Sequence, residues 1–162
     1  MITCVNNCIL AYPEPTDCSY YQKTSATSAK FTSGARSDLQ TSEGTFTSYC
    51  DQETMGGGWT VIQRRIDGTQ TFLQDLTAYD FSFGAASANF WLGNQIIRAL
   101  TGMQKYQLLV EVKTNLTYAF ALYDLFYTES GVNKLQIFDY QSCSTAGDSF
   151  TTAFDKPFIF DE

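Results

Sequence analysis

The sequence of 162 residues contains no histidine. Histidine is the usual base of Ser-His-Asp and Cys-His catalysis, a common zinc ligand, and the side chain that titrates near neutral pH. Its absence excludes all three uses. The acidic residues are scattered through expected turns and exposed strand faces, where they serve solvation. We therefore predict that the protein is not an enzyme.

Positive charge is also scarce, with 10 Lys and Arg against 17 Asp and Glu and a net charge of −7. This balance argues against nucleic acid or an anionic membrane surface as a partner. No stretch approaches the roughly 20 apolar residues that a membrane span requires, so we predict no membrane insertion. The 44% hydrophobic and 17% charged content is typical of one packed globular domain.

The cysteines form no Cys-x-x-Cys pair, which argues against a zinc or redox site and favours an oxidising compartment. There are five of them: Cys4, Cys8, Cys18, Cys50 and Cys143. Asn115 begins an Asn-Leu-Thr sequon and is a candidate glycosylation site. We predict a secreted, extracellular glycoprotein. Because the first residues lack the charged and apolar segments of a signal peptide, we interpret the sequence as a fragment, a mature piece or an incomplete gene model of such a protein.

The run GGGWTVIQRRIDG at residues 56–68 is the most informative stretch of the chain. Its glycines allow positive φ and close backbone approach, and the Trp-Thr-Val-Ile segment predicts a strand that enters the core. Asp67 and Gly68 predict a tight turn. We expect Trp59 and also Trp91 to be core residues rather than ligand platforms.

Hydrophobic periodicity predicts three longer strands and one helix. Residues 106–112 alternate as in a half-buried strand, residues 119–126 resemble a central strand, and residues 135–140 a third. Asn94 is expected to cap a helix that Gly102 ends. An antiparallel sheet with flanking short helices is an α+β architecture.

Further motifs lie before and after this run in a definite order and spacing. They are Tyr-Cys-Asp at 49–51, Phe-Trp-Leu-Gly-Asn at 90–94, Leu-Thr at 100–101, Tyr-Gln-Leu at 106–108 and Ala-Gly-Asp-Ser at 146–149. Together they resemble the fibrinogen-related domain, the globular module of fibrinogen, ficolins, tenascins and angiopoietins. The resemblance runs from about Cys18 to about Phe158.

The resemblance implies a fibrinogen C-terminal-like fold with a tail or stalk remnant at 1–17 and a partial domain at 18–162. The latter comprises a small N-terminal disulfide subdomain (18–58) and a central sheet subdomain (59–162). It also implies a Cys18–Cys50 bond closing a 32-residue loop, worth about 3–4 kcal/mol. Cys4, Cys8 and Cys143 are left as free or interchain thiols.

Four positions depart from the family pattern. Leu76 stands for a usual tryptophan, Ser82 for a glycine, Asn89 for a glutamate and Arg98 for a histidine. At Leu76 and Ser82 we expect altered packing. The departures indicate a divergent member that keeps the fold.

The resemblance places ligand contacts mainly in a C-terminal subdomain with an Asp-x-Asp calcium loop, and this subdomain is expected to be missing. Asp161 would be the first aspartate of that loop in one alignment and Asp155 in another. Calcium takes about six to eight oxygen ligands, so Asp161 is at most the remnant of a metal site. We expect no cofactor in this chain and calcium in a full-length relative. Loss of the family's C-terminal strand would leave an unfilled slot in the central sheet.

Members of this family are not enzymes. Ficolin-like members bind acetylated groups, fibrinogen a peptide knob, and angiopoietin-like members receptors. We therefore predict a secreted, lectin-like or adhesion module of innate recognition whose full-length form binds a carbohydrate or protein ligand. A matrix or clotting-type component, assembled as a homo-oligomer through interchain disulfides, is the alternative.

Overall fold

The computed structural model of the protein describes residues 2–3, 15–24, 32–129 and 134–156. The helices are α1 (Ser19–Thr24), α2 (Leu76–Phe81) and α3 (Asn94–Met103). The strands are β1 (Ile2–Thr3), β2 (Gly34–Thr41), β3 (Gly44–Asp51), β4 (Trp59–Val61), β5 (Gln63–Arg64), β6 (Phe83–Gly84), β7 (Phe90–Trp91), β8 (Tyr106–Lys113), β9 (Tyr118–Thr128) and β10 (Leu135–Tyr140). Both sheets are antiparallel, as predicted for an α+β fold.

The larger sheet has seven strands in the order β10-β9-β8-β1-β4-β3-β2, and the smaller one has the order β5-β7-β6. Strand β9 lies between β8 and β10, which agrees with the central strand expected from its apolar sequence. Strand β4 contains the predicted Trp-Thr-Val segment and pairs with β3. The glycine-rich run therefore leads into the middle of the sheet.

The core lies against one face of the large sheet. Strands β8, β9 and β10 contribute Tyr106, Leu108, Ala121, Tyr123, Phe126 and Ile137, and helix α3 contributes Ile97 and Leu100. Three-to-four-residue spacing places the two helical side chains on one face. Packing of α3 on the sheet thus buries a continuous apolar cluster.

The predicted alternation of β8 holds only at its start. Tyr106 and Leu108 are buried, but Leu109 is buried too, and Val112 is 56% exposed. Leu109 points to the opposite face from Leu108 and is buried all the same, while the register shift in the pairing with β9 places its extra residue in β9, because Tyr106 pairs with Phe126 but Leu108 with Tyr123. A perfect period of two was therefore the wrong expectation for this strand.

Ile2 and Thr3 occupy the place in the large sheet where we expected an unfilled slot. Ile2 pairs with Thr60 of β4 and with Leu108 of β8, both antiparallel. The backbone groups that would otherwise face an open edge are hydrogen-bonded there. That expectation was wrong at these positions, because the beginning of the chain returns to the sheet.

Residues just before Cys18 also belong to the packed structure. Pro15 and Asp17 are buried, and the Pro15 carbonyl accepts a hydrogen bond from the Gln40 amide at 2.9 Å. The Asp17 carboxylate accepts hydrogen bonds from Gln104 at 2.7 Å and Tyr106 at 3.1 Å. The boundary between a tail and the domain at residue 18 stays a prediction. The contacts of Pro15 and Asp17 lie on the N-terminal side of that boundary.

The disulfide joins Cys18, just before α1, to Cys50 in β3, as the resemblance implied. The two Cα atoms are 5.4 Å apart and both side chains are fully buried. Strand β3 forms a hairpin with β2 and also pairs with β4, so the disulfide ties α1 to the large sheet.

Helix α3 begins and ends differently from the prediction. Gly93 is its N-cap, with φ of 103°, and no side chain caps it. Asn94 is the first helical residue, and its Nδ2 donates to Asp80 Oδ1 at 3.0 Å. Gly102 lies inside the helix, which ends at Met103. The expected roles of Asn94 and Gly102 were therefore wrong.

Candidate binding groove

Apart from the bonded Cys18 and Cys50, the predicted site residues that the structure describes lie in different segments of the chain. Cys143 is an exposed free thiol in the loop after β10, and Asn115 is exposed between β8 and β9. Cys4, Cys8 and Asp161 lie outside the described residues. The predicted site residues therefore form no common centre in the described part of the chain.

Asn115 occupies a tight turn at the tip of the β8–β9 hairpin. The Thr114 amide donates to the Thr117 carbonyl at 2.8 Å, and the Thr114 hydroxyl accepts from the Leu116 and Thr117 amides at 3.2 and 3.0 Å. Leu116 is 95% exposed. The turn holds the sequon at the surface, where a glycosylating enzyme requires it.

The glycine run is explained at Gly57 by close packing against the backbone of Gln52. A Cβ added at Gly57, whose φ is 82°, would lie 2.4 Å from the Gln52 carbonyl oxygen. Trp59 is 4% exposed, and its indole nitrogen donates to the Thr54 carbonyl at 2.7 Å. The prediction of a buried Trp59 is confirmed.

Trp91 differs from Trp59 because it is only half-buried. Its indole nitrogen donates to the Tyr79 carbonyl at 2.8 Å, and the two rings are 5.5 Å apart. Trp91 lines a groove at the surface. The expectation that it is a core residue was therefore only partly right.

This groove runs between the β2–β3 hairpin and the segment that joins α2 to β7, with a volume of about 630 Å³. The hairpin side is formed by Ala35, Ser37, Thr45, Phe46 and Thr47, and the opposite side by residues 81–87 with Phe90, Trp91, Leu92 and Ile96. Phe46, Phe90 and Leu92 are buried residues of the core. Phe81 is 63% exposed. The groove therefore combines apolar groups with an accessible ring.

Ser82 in the groove wall has an unusual backbone. Its φ of 100° and ψ of 153° fall in a region that is essentially restricted to glycine, at a cost of about 1–3 kcal/mol. Its amide donates to the Ala78 carbonyl at 3.0 Å at the end of α2. A Cβ at Gly93 would lie 3.0 Å from the Ser82 nitrogen, so the two backbones pass closely. The expected altered packing at this position is a strained turn.

Asn89 stands where the resemblance implied a glutamate, and it organises the loop of residues 66–69. It is 2% exposed, and its Oδ1 accepts from the Ile66 and Asp67 amides at 2.5 and 3.2 Å. Its Nδ2 donates to the Asp67 carboxylate at 2.6 Å. Hydrogen bonds from Thr69 and then Asn89 lower the pKa of Asp67. Sequence reasoning recorded Asn89 as a departure but missed this network.

The C-terminal part of the described chain is held by a second network. The Asp148 carboxylate accepts from the Tyr123 hydroxyl at 2.9 Å and from the Thr151 hydroxyl at 2.5 Å. Burial, followed by the hydrogen bond to Asp148, raises the pKa of Tyr123 to about 12. Hydrogen bonds from Thr151 lower the pKa of Asp148. Asp155 pairs with Lys134 at 3.2 Å.

The described residues do not fit a calcium site. Nowhere in residues 15–24, 32–129 and 134–156 do three or more His, Cys, Asp or Glu side chains come together as metal ligands. Asp148 and Asp155 are engaged with hydrogen-bond donors of the chain itself.

Comparison with known proteins places this architecture in one family. The family described as "Fibrinogen beta and gamma chains, C-terminal globular domain" matches residues 14–161. The chain belongs to this family. It is 40% identical over 105 residues to human fibroleukin, covering 64% of this chain and 24% of fibroleukin. The chain thus spans about a quarter of that relative.

Solved structures show the same fold. The fibrinogen-like globe domain of human ANGPTL6 superposes with a TM-score of 0.81 at 32% identity, over 90% of this chain and 64% of that one. Lamprey fibrin D-dimer, complexed with the peptide Gly-His-Arg-Pro-amide, gives 0.69 at 29% identity, over 91% and 48%. The fibrinogen C-terminal fold inferred from the motifs is confirmed.

Proposed function

We propose that the chain is part of a secreted, extracellular recognition module that binds a carbohydrate or protein ligand, in a lectin-like or adhesion role within innate recognition. The observation that carries this is the groove, which offers a surface for binding but no ionisable side chain along its walls. Serine and threonine hydroxyls without an adjacent base are weak nucleophiles. The groove therefore suits binding rather than catalysis.

Two further observations support an extracellular site of action. The buried Cys18–Cys50 bond is typical of an oxidising compartment, and the sequon at Asn115 is presented on an exposed turn. None of the described helices is both long and apolar enough to cross a bilayer. Glycosylation at Asn115 is part of the proposal and predicts a mass shift that peptide N-glycosidase removes.

Calcium enters the proposal only for a full-length relative. The described residues lack a suitable group of ligands, and Asp161 lies outside them. We expect isothermal titration of the 162-residue chain with calcium to give no saturable heat. Millimolar or tighter binding would contradict this expectation.

The alternative function is a structural component of a matrix or clot that is assembled through interchain disulfides. Exposed Cys143 is the observation that favours it. Such a chain would form covalent homo-oligomers, which non-reducing electrophoresis detects. A Cys143→Ser variant would then lose at least one multimer band.

The test uses the 162-residue chain, secreted with a heterologous signal peptide and labelled with a fluorophore. Its binding is measured on beads coated with mannan, galactan or dextran, and on beads carrying Gly-His-Arg-Pro-amide. A recognition module is expected to bind at least one of these surfaces saturably without being linked into covalent multimers. Absence of binding on every surface would contradict the proposed function, and covalent multimers in that case would favour the structural alternative.

A further inference from the structure

The groove has no charged side chain along its walls. None of its sixteen lining residues is Asp, Glu, Lys or Arg, although these make up 17% of the sequence. A charged ligand would leave its hydration shell without gaining an opposite charge along these walls, which is unfavourable. The lining therefore selects for a neutral ligand.

Five of the residues that line the groove have a hydroxyl side chain: Ser37, Thr45, Thr47, Ser82 and Ser87. All five residues are exposed. Their side chains form no hydrogen bond with any other residue in the described part of the chain, whereas Asp51, Asp67 and Asp148 all bind neighbouring threonines. Each hydroxyl both donates and accepts. The complementary ligand carries several groups that also do both.

Rings in the groove supply the apolar part of recognition. Phe81 is 63% exposed and Trp91 is half-buried. A pyranose ring presents one face of C–H groups and an edge of hydroxyls, so it can cover an aromatic ring while it hydrogen-bonds around its rim. A purely apolar ligand would leave the hydroxyls unpaired.

Ser82 is one of the five hydroxyl residues of the groove, and its backbone is strained. Its conformation, with φ of 100° and ψ of 153°, is one that glycine adopts without cost. Serine adds only a hydroxymethyl group at this point of the wall. Strain retained at a ligand-facing position is the pattern expected where the side chain contributes to binding.

From these observations we propose that the groove between the β2–β3 hairpin and residues 81–91 binds a neutral hexose unit of a glycan. The hydroxyls of Thr45, Thr47 and Ser82 hydrogen-bond to the sugar, and Phe81 packs against its C–H face. This inference rests on the proposed recognition function and gives it a location and a ligand class.

Saturation-transfer NMR tests the inference with the methyl glycosides of glucose, galactose and mannose as neutral probes, and with N-acetylneuraminic acid as the anionic probe. At least one neutral glycoside should receive saturation, and the anionic sugar should receive none. Each hydrogen bond contributes about 0.5–1.5 kcal/mol, so the double variant T45V/T47V should weaken binding about tenfold.

Three further variants complete the design. Phe81→Ala should weaken binding by a similar factor without unfolding the chain, since the ring is 63% exposed. Ser82→Gly should also weaken binding. Thr77→Val is the matched control, because Thr77 is an exposed threonine that does not line the groove. Near-UV circular dichroism confirms that each variant is folded.

The outcomes separate this inference from the proposed function. Absence of saturation from all three neutral glycosides, preference for the anionic sugar, or unchanged binding by T45V/T47V would each overturn the groove as a hexose site. Saturable binding of T45V/T47V to the coated beads would then leave the recognition function standing elsewhere. A peptide that adds to a strand edge uses backbone groups and would also be insensitive to the threonine substitutions.

Discussion

The groove and the C-terminal network both contain exposed polar side chains, but they use them differently. Around Tyr123 and Asp148, hydroxyl and carboxylate groups bind one another and fix the segment that follows β10. Along the groove, the hydroxyls of Thr45 and Thr47 bind no other described residue. The same residue types therefore stabilise the fold in one region and remain available to a ligand in the other.

Loss of Trp59 is the largest effect that we expect. Trp59→Ala should lower the free energy of unfolding by about 3–5 kcal/mol, because it leaves a cavity where the buried indole was packed. Urea denaturation measures the change. Trp91→Ala is the comparison, since half-buried Trp91 in the groove should cost clearly less. Equal losses would contradict the distinction between a core tryptophan and a groove tryptophan.

Removal of the disulfide comes next. The double variant C18A/C50A should lose about 3–4 kcal/mol, since an open chain has more unfolded conformations than one with a closed 32-residue loop. Thermal unfolding with and without reductant checks this. Cys143→Ala is the control, because this exposed thiol is unpaired in the described structure. If reductant still lowers the stability of C18A/C50A, the effect comes from other cysteines, which would contradict this prediction.

Alkaline pH should weaken the C-terminal network. The pKa of Tyr123 is raised to about 12 in the folded protein, from an ordinary value near 10. Its contribution to stability is therefore fully present below about pH 10 and is lost as the pH rises towards 12. Unfolding measured across this range should show a smaller decline in Tyr123→Phe.

Tyr20→Phe serves as the control for this alkaline decline. Tyr20 is 39% exposed and lies in α1, away from Asp148. Its variant should decline with pH as the unsubstituted chain does. An equal decline in Tyr123→Phe would remove Tyr123 from the explanation.

Relief of strain at Ser82 is the smallest expected effect. Ser82→Gly should raise the free energy of unfolding by about 1 kcal/mol, because glycine adopts this conformation freely. Ser87→Gly, a groove serine that is not among the positive-φ residues, should give no gain. If the Ser82→Gly variant is more stable and also binds sugar more weakly, the strain is linked to binding. If the variant is less stable, the strain at Ser82 is refuted.

Local patterns predicted much of the scaffold. The Trp-Thr-Val segment and residues 135–140 form strands as expected, because β-branched and aromatic runs suit a buried sheet. The Cys18–Cys50 bond required the family resemblance, since five cysteines allow several pairings. The prediction for Asn94 was wrong because the N-cap of α3 is Gly93, whose φ is positive, and no side chain caps the helix.

The groove could not be predicted from the sequence. Its two sides come from residues 35–47 and 81–96, which are adjacent only after the hairpin and the small sheet have folded. Ser82 was the one available signal, as a residue at an expected glycine position. Tertiary contacts decide which hydroxyl groups remain without a hydrogen-bond partner, and local sequence propensity carries no information about those contacts.

Chemical-shift mapping tests the contrast between the two regions most directly. Methyl α-D-mannoside, or whichever neutral glycoside receives the most saturation, is titrated into the ¹⁵N-labelled 162-residue chain. We predict shifts concentrated in residues 35–47 and 81–91, with residues 139–156 unchanged. Shifts confined to residues 139–156, or no saturable shift at all, would contradict the assignment of ligand recognition to the groove.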